Sequence, residues 1–164
     1  MLSILPSILV LGLVALVAVF LARRRVSPPA MKSERKSASR ILGFAVVAQF
    51  IHFIEETATG FHEQFPAVFG LQSIPISVFI IFNLLWLLIW SASIAGVQAA
   101  YKPAFFAAWF LAIAGMVNGL AHPLLAITQG GYFPGLVSSP IVAIACILLW
   151  IRLRAATQIV GKVE

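Results

Sequence analysis

Long apolar runs alternate with short polar breaks along the whole chain of 164 residues. A helix needs roughly 20 apolar residues to cross a hydrocarbon core of about 30 Å. Five segments approach that length: 2–21, about 41–58, 74–95, 104–124 and 137–153. The breaks between them carry turn chemistry, as in Ser27-Pro28-Pro29, Gly70, Gly130-Gly131 and Pro134-Gly135. The pattern predicts an all-α, polytopic membrane helix bundle of five transmembrane helices. It divides into an N-terminal anchor with a basic linker (1–40), a four-helix membrane domain (41–154) and a tail (155–164). Ser138 and Ser139, just before Pro140, read as N-terminal caps of the last helix.

Composition supports this class. The chain is 62% hydrophobic and 10% charged, against about half apolar and a quarter charged in soluble domains. Mean hydropathy is +1.05. Soluble, disordered and disulfide-scaffold classes are excluded, and Cys146, the one cysteine, has no intrachain partner.

The net charge of +6 carries a different message once its distribution is read. Seven of the basic residues lie in 22–40, Lys102 lies in the 96–103 loop, and Arg152, Arg154 and Lys162 follow the last span. The alternate breaks, 59–73 and 125–136, have none. Cytoplasmic loops are enriched in Lys and Arg. The expectation is an N-terminus outside, a C-terminus in the cytoplasm and a cell-membrane location, with the basic linker either a solvated, topology-setting loop or a segment whose charges bind anionic lipid headgroups. Arg23-Arg24-Arg25 directly after a long apolar stretch favours an anchor over a cleaved signal peptide. No nucleic-acid partner is implied; the partners expected are membrane lipids and a hydrophobic small molecule. The second segment has only about 14 apolar residues before Glu55-Glu56, short enough for a re-entrant element, but only a crossing keeps all basic residues on one side.

Ionisable residues inside spans are expensive and therefore informative. Gln49, His52, Glu55, Glu56 and Thr59 share one helical stripe, opposite Phe44, Val47, Phe50, Ile51 and Ile54. One of Glu55 and Glu56 should face inward and the other the outer interface. Asn118 and His122 form an i, i+4 pair, with Gly115 and Gly119 at a spacing that admits a close helix. Pro123 disfavours helical geometry at His122 and predicts a break that leaves the histidine at the mouth of the site. Asn83, Trp86 and Trp90 share a face of the third span and are candidate substrate-binding residues. At 1.5 Å per residue these groups fall in the middle-to-outer half of the membrane, predicting one polar site open to the non-cytoplasmic side. His62 and Tyr132 lie in loops that could cover it.

His52-Phe53-Ile54-Glu55-Glu56, Asn118-Gly119-Leu120-Ala121-His122 and Tyr132-Phe133-Pro134-Gly135 match HxxEE, NxxxH and YxPG motifs. In this order they resemble the HXXEE family of uncharacterised multi-pass membrane proteins over about residues 41–150. The resemblance implies that His52, Glu55, Glu56, Asn118, His122 and Tyr132 are its signature positions, the candidate catalytic set, and implies no reaction.

Three functions fit these residues. In a metal-dependent enzyme, His52, His122 and Glu56 or Glu55 would hold zinc or iron with an open position that activates water, with His62 an extra ligand and Asn118 in support. In a metal-free acid/base enzyme acting on a lipid or isoprenoid, His and Glu would exchange protons beside Trp86 and Trp90; sterol isomerases of the emopamil-binding type are similar in outline. In a transporter, proton relay or accessory subunit, the stripe would carry protons or ions.

Overall fold

The computed structural model describes residues 5–161; the sequence readings that touch residues 2–4 and Lys162 lie outside them. Six helices form: α1 (Leu5–Arg24), α2 (Lys32–Ala58), α3 (Phe61–Ala67), α4 (Ile76–Gln98), α5 (Lys102–Gln129) and α6 (Ser139–Ala155). A two-residue antiparallel pair joins β1 (Arg25–Val26) to β2 (Gln158–Ile159), with Arg25 opposite Ile159. Four segments are long and apolar enough to cross a membrane: Leu5–Arg24, Pro29–Ala58, Ile76–Gln98 and Lys102–Gln129. α6, the fifth expected span, has 17 residues.

Helix limits follow local chemistry. Pro28-Pro29 opens a 3-10 turn that leads into α2, with Glu34 in the first turn where an acid suits the helix dipole. Pro103 stands at the start of α5, and Gly130, left-handed at φ 72°, ends it. Pro140 starts α6, and Arg152 and Arg154 occupy its last turn.

Two expectations are corrected here. Residues 32–40 of the basic linker are the first turns of α2 and not a loop, and Arg35 is buried among them. Its guanidinium donates to the carbonyls of Pro28 and Gln98 and to Ser27 Oγ, so a buried charge in the first turn of the helix is held by neighbouring chain segments. The break expected at Pro123 does not occur either. α5 runs straight through to Gln129 and keeps His122 2% exposed. A proline removes one backbone donor, and burial of His122 and Ala126 on the inner face of the helix outweighs that loss.

α2, α4, α5 and α6 form a ring in which α2 packs on α4 and α6, and α5 packs on the same two from the far side. α2 and α5 are therefore diagonal across the bundle. α1 lies outside this ring, against α5. Gly115 and Gly119 face α6, where an added Cβ would collide with Cys146 and Ala143; the small residues let the two backbones approach. The axis between the ends is apolar, with Leu42, Trp109, Leu111, Val142, Cys146, Leu149 and Leu153 fully buried.

The ends of the bundle differ. The end of α1, the start of α2, the end of α4, the start of α5 and the end of α6 gather at one end, tied by Arg25 to Thr157 and the Arg154 carbonyl and by Arg35 to Gln98. All the described basic residues lie in these segments. The polar stripe of α2 and the end of α5 lie at the other.

Candidate metal centre

The stripe on α2 is oriented as its spacing requires. Gln49, His52 and Glu56 are buried, whereas Phe44, Val47, Phe50, Ile51 and Ile54 are exposed on the opposite face. Glu55 is half-buried at the edge. Of the two adjacent carboxylates, Glu56 is thus the inward one.

From the diagonal helix, α5 brings His122 to the same point. His52 Nε2 and His122 Nε2 each lie 3.4 Å from Glu56 Oε1. The three donor atoms fall within 4.8 Å of one another, and all three residues are buried. The imidazole rings meet edge to face, with centroids 4.7 Å apart. A His52/Glu56/His122 group that could hold a metal therefore sits on the bundle axis. Asn118, one turn before His122, sets its amide nitrogen 3.4 Å from His52 Nε2.

A loop closes over the cluster. His122 Nδ1 donates to the Pro134 carbonyl at 2.5 Å, which leaves Nε2 as the nitrogen turned towards Glu56. Gly135 has φ +86°, and a Cβ there would stand 2.5 Å from His122 Cε1 and 2.7 Å from His52 Cε1. Only glycine lets this backbone lie across both imidazoles. Phe133 and the half-buried Phe61 complete the cover, with ring centroids 6.1 Å and 5.5 Å from that of His122. Phe61 belongs to α3, which folds back over the end of the bundle. The expectation of an open mouth is corrected: the cluster is enclosed, because the Tyr132–Ser138 loop packs on the histidines themselves.

Glu55 fastens that loop. Its Oε1 accepts from Tyr132 Oη at 2.6 Å and from the Val137 N–H at 3.0 Å. Its Oε2 accepts from the Ser138 N–H at 2.8 Å and from the Ser138 hydroxyl. The carboxylate thus sits on the exposed N–H groups at the start of α6, where a helix end favours an anion. Partial burial, and then the bond to Glu55, raise the Tyr132 pKa above its ordinary value. Ser138 is corrected as a cap: it makes no side-chain capping bond in α6, because its hydroxyl is engaged by Glu55 and lies 2.8 Å from His52 Nδ1. Ser139 Oγ donates to the Leu136 carbonyl.

The remaining candidates lie apart from the cluster. His62 pairs with Glu63 at 3.6 Å and stacks on Phe79, with its Nδ1 buried and unpartnered. Asn83 donates to the Phe79 carbonyl within its own helix. Trp86 stacks on Phe110 with centroids 4.3 Å apart, and Trp90 packs beside both. Among the described residues, none of these four makes a hydrogen bond, ion pair or ring contact with His52, Glu56 or His122. Sequence reasoning missed Gly135, Pro134 and Ser138 as partners of the histidines. The Pro-Gly pair signalled a turn, but nothing in its spacing revealed what the turn would cover.

A family model described as "Protein of unknown function with HXXEE motif" matches residues 42–150. No curated protein and no solved structure matches the chain. The matched region holds the four-helix ring from Leu42, near the start of α2's apolar part, through most of α6, and leaves α1 outside.

Proposed function

We propose that this chain, which belongs to the HXXEE family, is an integral membrane enzyme that binds one divalent transition metal, zinc or ferrous iron, through His52, Glu56 and His122. The observation that carries this reading is the 3.4 Å spacing from Glu56 Oε1 to each Nε2. A charge-assisted hydrogen bond between such groups would be about 2.7–2.9 Å. Ligand bonds of about 2.0–2.2 Å arranged tetrahedrally put neighbouring donors roughly 3.3–3.5 Å apart. The spacing suits an ion between the donors better than a direct bond between them.

Held by two histidines and one carboxylate, a metal would activate a bound water by lowering its pKa to about 7. Asn118, whose amide nitrogen lies 3.4 Å from His52 Nε2, would hydrogen-bond to what is bound there. Hydrolysis of a lipid or other hydrophobic substrate is the chemistry this set suits best, since the site is surrounded by apolar helix faces. A shallow surface cavity of about 740 Å³ at the basic end is lined by Gly96, Tyr101 and Lys102. Because the Tyr132–Ser138 loop and Phe61 of α3 cover the buried cluster, a substrate would enter by displacing one of them.

For the membrane, we read α6 as the fifth span, because it runs from the covered site to the basic end beside α5. Gathering of the basic residues at one end supports a cytoplasmic assignment for that end, which puts the site towards the outer leaflet of the cell membrane. Elemental analysis of the full chain, purified in detergent, tests the function: about one zinc or iron per chain is expected. Metal-free acid/base chemistry is the second reading, favoured by both Nε2 atoms facing one carboxylate oxygen, and a metal-free protein with intact fold would support it. The apolar axis below the site speaks against an ion pathway.

A further inference from the structure

Counting protons around Glu55 gives Ser138 a role beyond holding the loop. Glu55 accepts four hydrogen bonds, two on each oxygen. Four is the lone-pair capacity of an ionised carboxylate. Each oxygen also accepts a backbone N–H at the start of α6, where a helix end favours an anion, so we take Glu55 as the carboxylate and the Ser138 hydroxyl as a donor to it. A hydroxyl has one proton. Once Ser138 gives it to Glu55, its oxygen can only accept from its other neighbour, His52 Nδ1, at 2.8 Å. His52 Nδ1 then carries a proton, and in the neutral ring Nε2 is the lone pair that faces Glu56.

We infer that Glu55 and Ser138 form a positioning relay that holds His52 in the Nδ1–H tautomer and so presents Nε2 as a metal ligand. The inference rests on the metal reading for its purpose but not for its geometry. It gives the two glutamates of HxxEE separate tasks. Glu56 lies at the centre, while Glu55 acts through a serine contributed by the start of α6. The Pro134 carbonyl does for His122 what Ser138 does for His52. Both histidines are thus turned the same way by the same loop, a backbone oxygen orienting one and a hydroxyl the other. Partners of this kind on the far nitrogen of a ligating histidine fix its orientation and raise its basicity.

The test is nitrogen NMR of the full chain, labelled with ¹⁵N-histidine, in metal-free form, assigned with His52→Gln and His122→Gln. Wild type should show a protonated Nδ1 and an unprotonated Nε2 for His52. Ser138→Ala should move His52 to a mixture of tautomers and leave His122 unchanged. Ser138→Thr, which keeps a hydroxyl, should retain the wild-type pattern, and zinc affinity should fall about 10–100-fold in Ser138→Ala but much less in Ser138→Thr. A His52 that is Nε2-protonated in wild type, or a tautomer unchanged by Ser138→Ala, would overturn the relay. Should wild type bind no metal while the tautomer still follows Ser138, the relay stands and the metal reading falls.

Discussion

The two ends of the bundle both bury polar side chains, but they spend them differently. At the basic end, Arg25 and Arg35 reach the carbonyls of Arg154, Thr157, Pro28 and Gln98 and the hydroxyls of Thr157 and Ser27. Ser39 and Gln98 close a similar circuit through the Ile94 carbonyl. These donors find ordinary acceptors, and the result ties chain segments together. At the other end, His52, Glu56 and His122 turn their best ligand atoms towards one another at a distance longer than a strong hydrogen bond. Their outer atoms are engaged, by Ser138 and Pro134, while the inner ones share a centre. Buried polarity that is satisfied by backbone builds structure. Buried polarity that converges on a point marks a site.

Substitution at each end should therefore give opposite signatures. The largest effect on metal is expected from His52→Ala or His122→Ala, which should lower zinc affinity by more than the ~100-fold upper range seen for outer partners, while circular dichroism stays helical. Gly135→Ala comes next. Its Cβ would meet both imidazoles at a positive φ, costing about 1–3 kcal/mol from overpacking, so both thermal stability and metal content should drop. Arg35→Ala should reverse the pattern: loss of roughly 1–3 kcal/mol from acceptors left unpaired at the basic end, read as a lower unfolding midpoint, with metal stoichiometry unchanged. A loss of metal in Arg35→Ala comparable to that in the histidine variants would break the contrast between the ends.

The smallest effect belongs to Tyr132→Phe. It removes one of four bonds on Glu55, from an exposed side chain, and should cost about 1 kcal/mol or less. The same contact has a defined pH dependence. Because the Tyr132 pKa is raised in the folded chain, its contribution is complete below the ordinary tyrosine value of about 10 and is lost as pH rises through the higher folded value. Alkaline unfolding of wild type and Tyr132→Phe should therefore converge above pH 10, and curves that stay parallel would remove Tyr132 from the account.

Much of this was legible in the residues. The offsets from His52 to Gln49 and Glu56 defined the buried stripe, because an α-helix maps spacing directly onto a face. Asn118 and His122 were readable for the same reason. What the sequence left open was which carboxylate turns inward, since positions 55 and 56 differ by only one helical step. It also misplaced Ser138 and the start of α2. Local capping and linker rules treat each segment alone, whereas Glu55 outcompetes the local cap from 83 residues away in sequence and Arg35 is buried at the start of α2 through its bond to the Gln98 carbonyl. His62 stayed open as an extra ligand, because depth along a helix can be counted but the fold of a covering segment such as α3 cannot. The enclosure of the site was hidden likewise, being made by loop residues whose partners lie on α2 and α5.

The central claim is that His52, Glu56 and His122 hold one metal ion between them. Elemental analysis of the purified full chain beside His52→Ala and His122→Ala tests it most directly. The account predicts about one zinc or iron per wild-type chain and its loss in both variants. Metal well below one per chain, at the same level in wild type and variants, would contradict it.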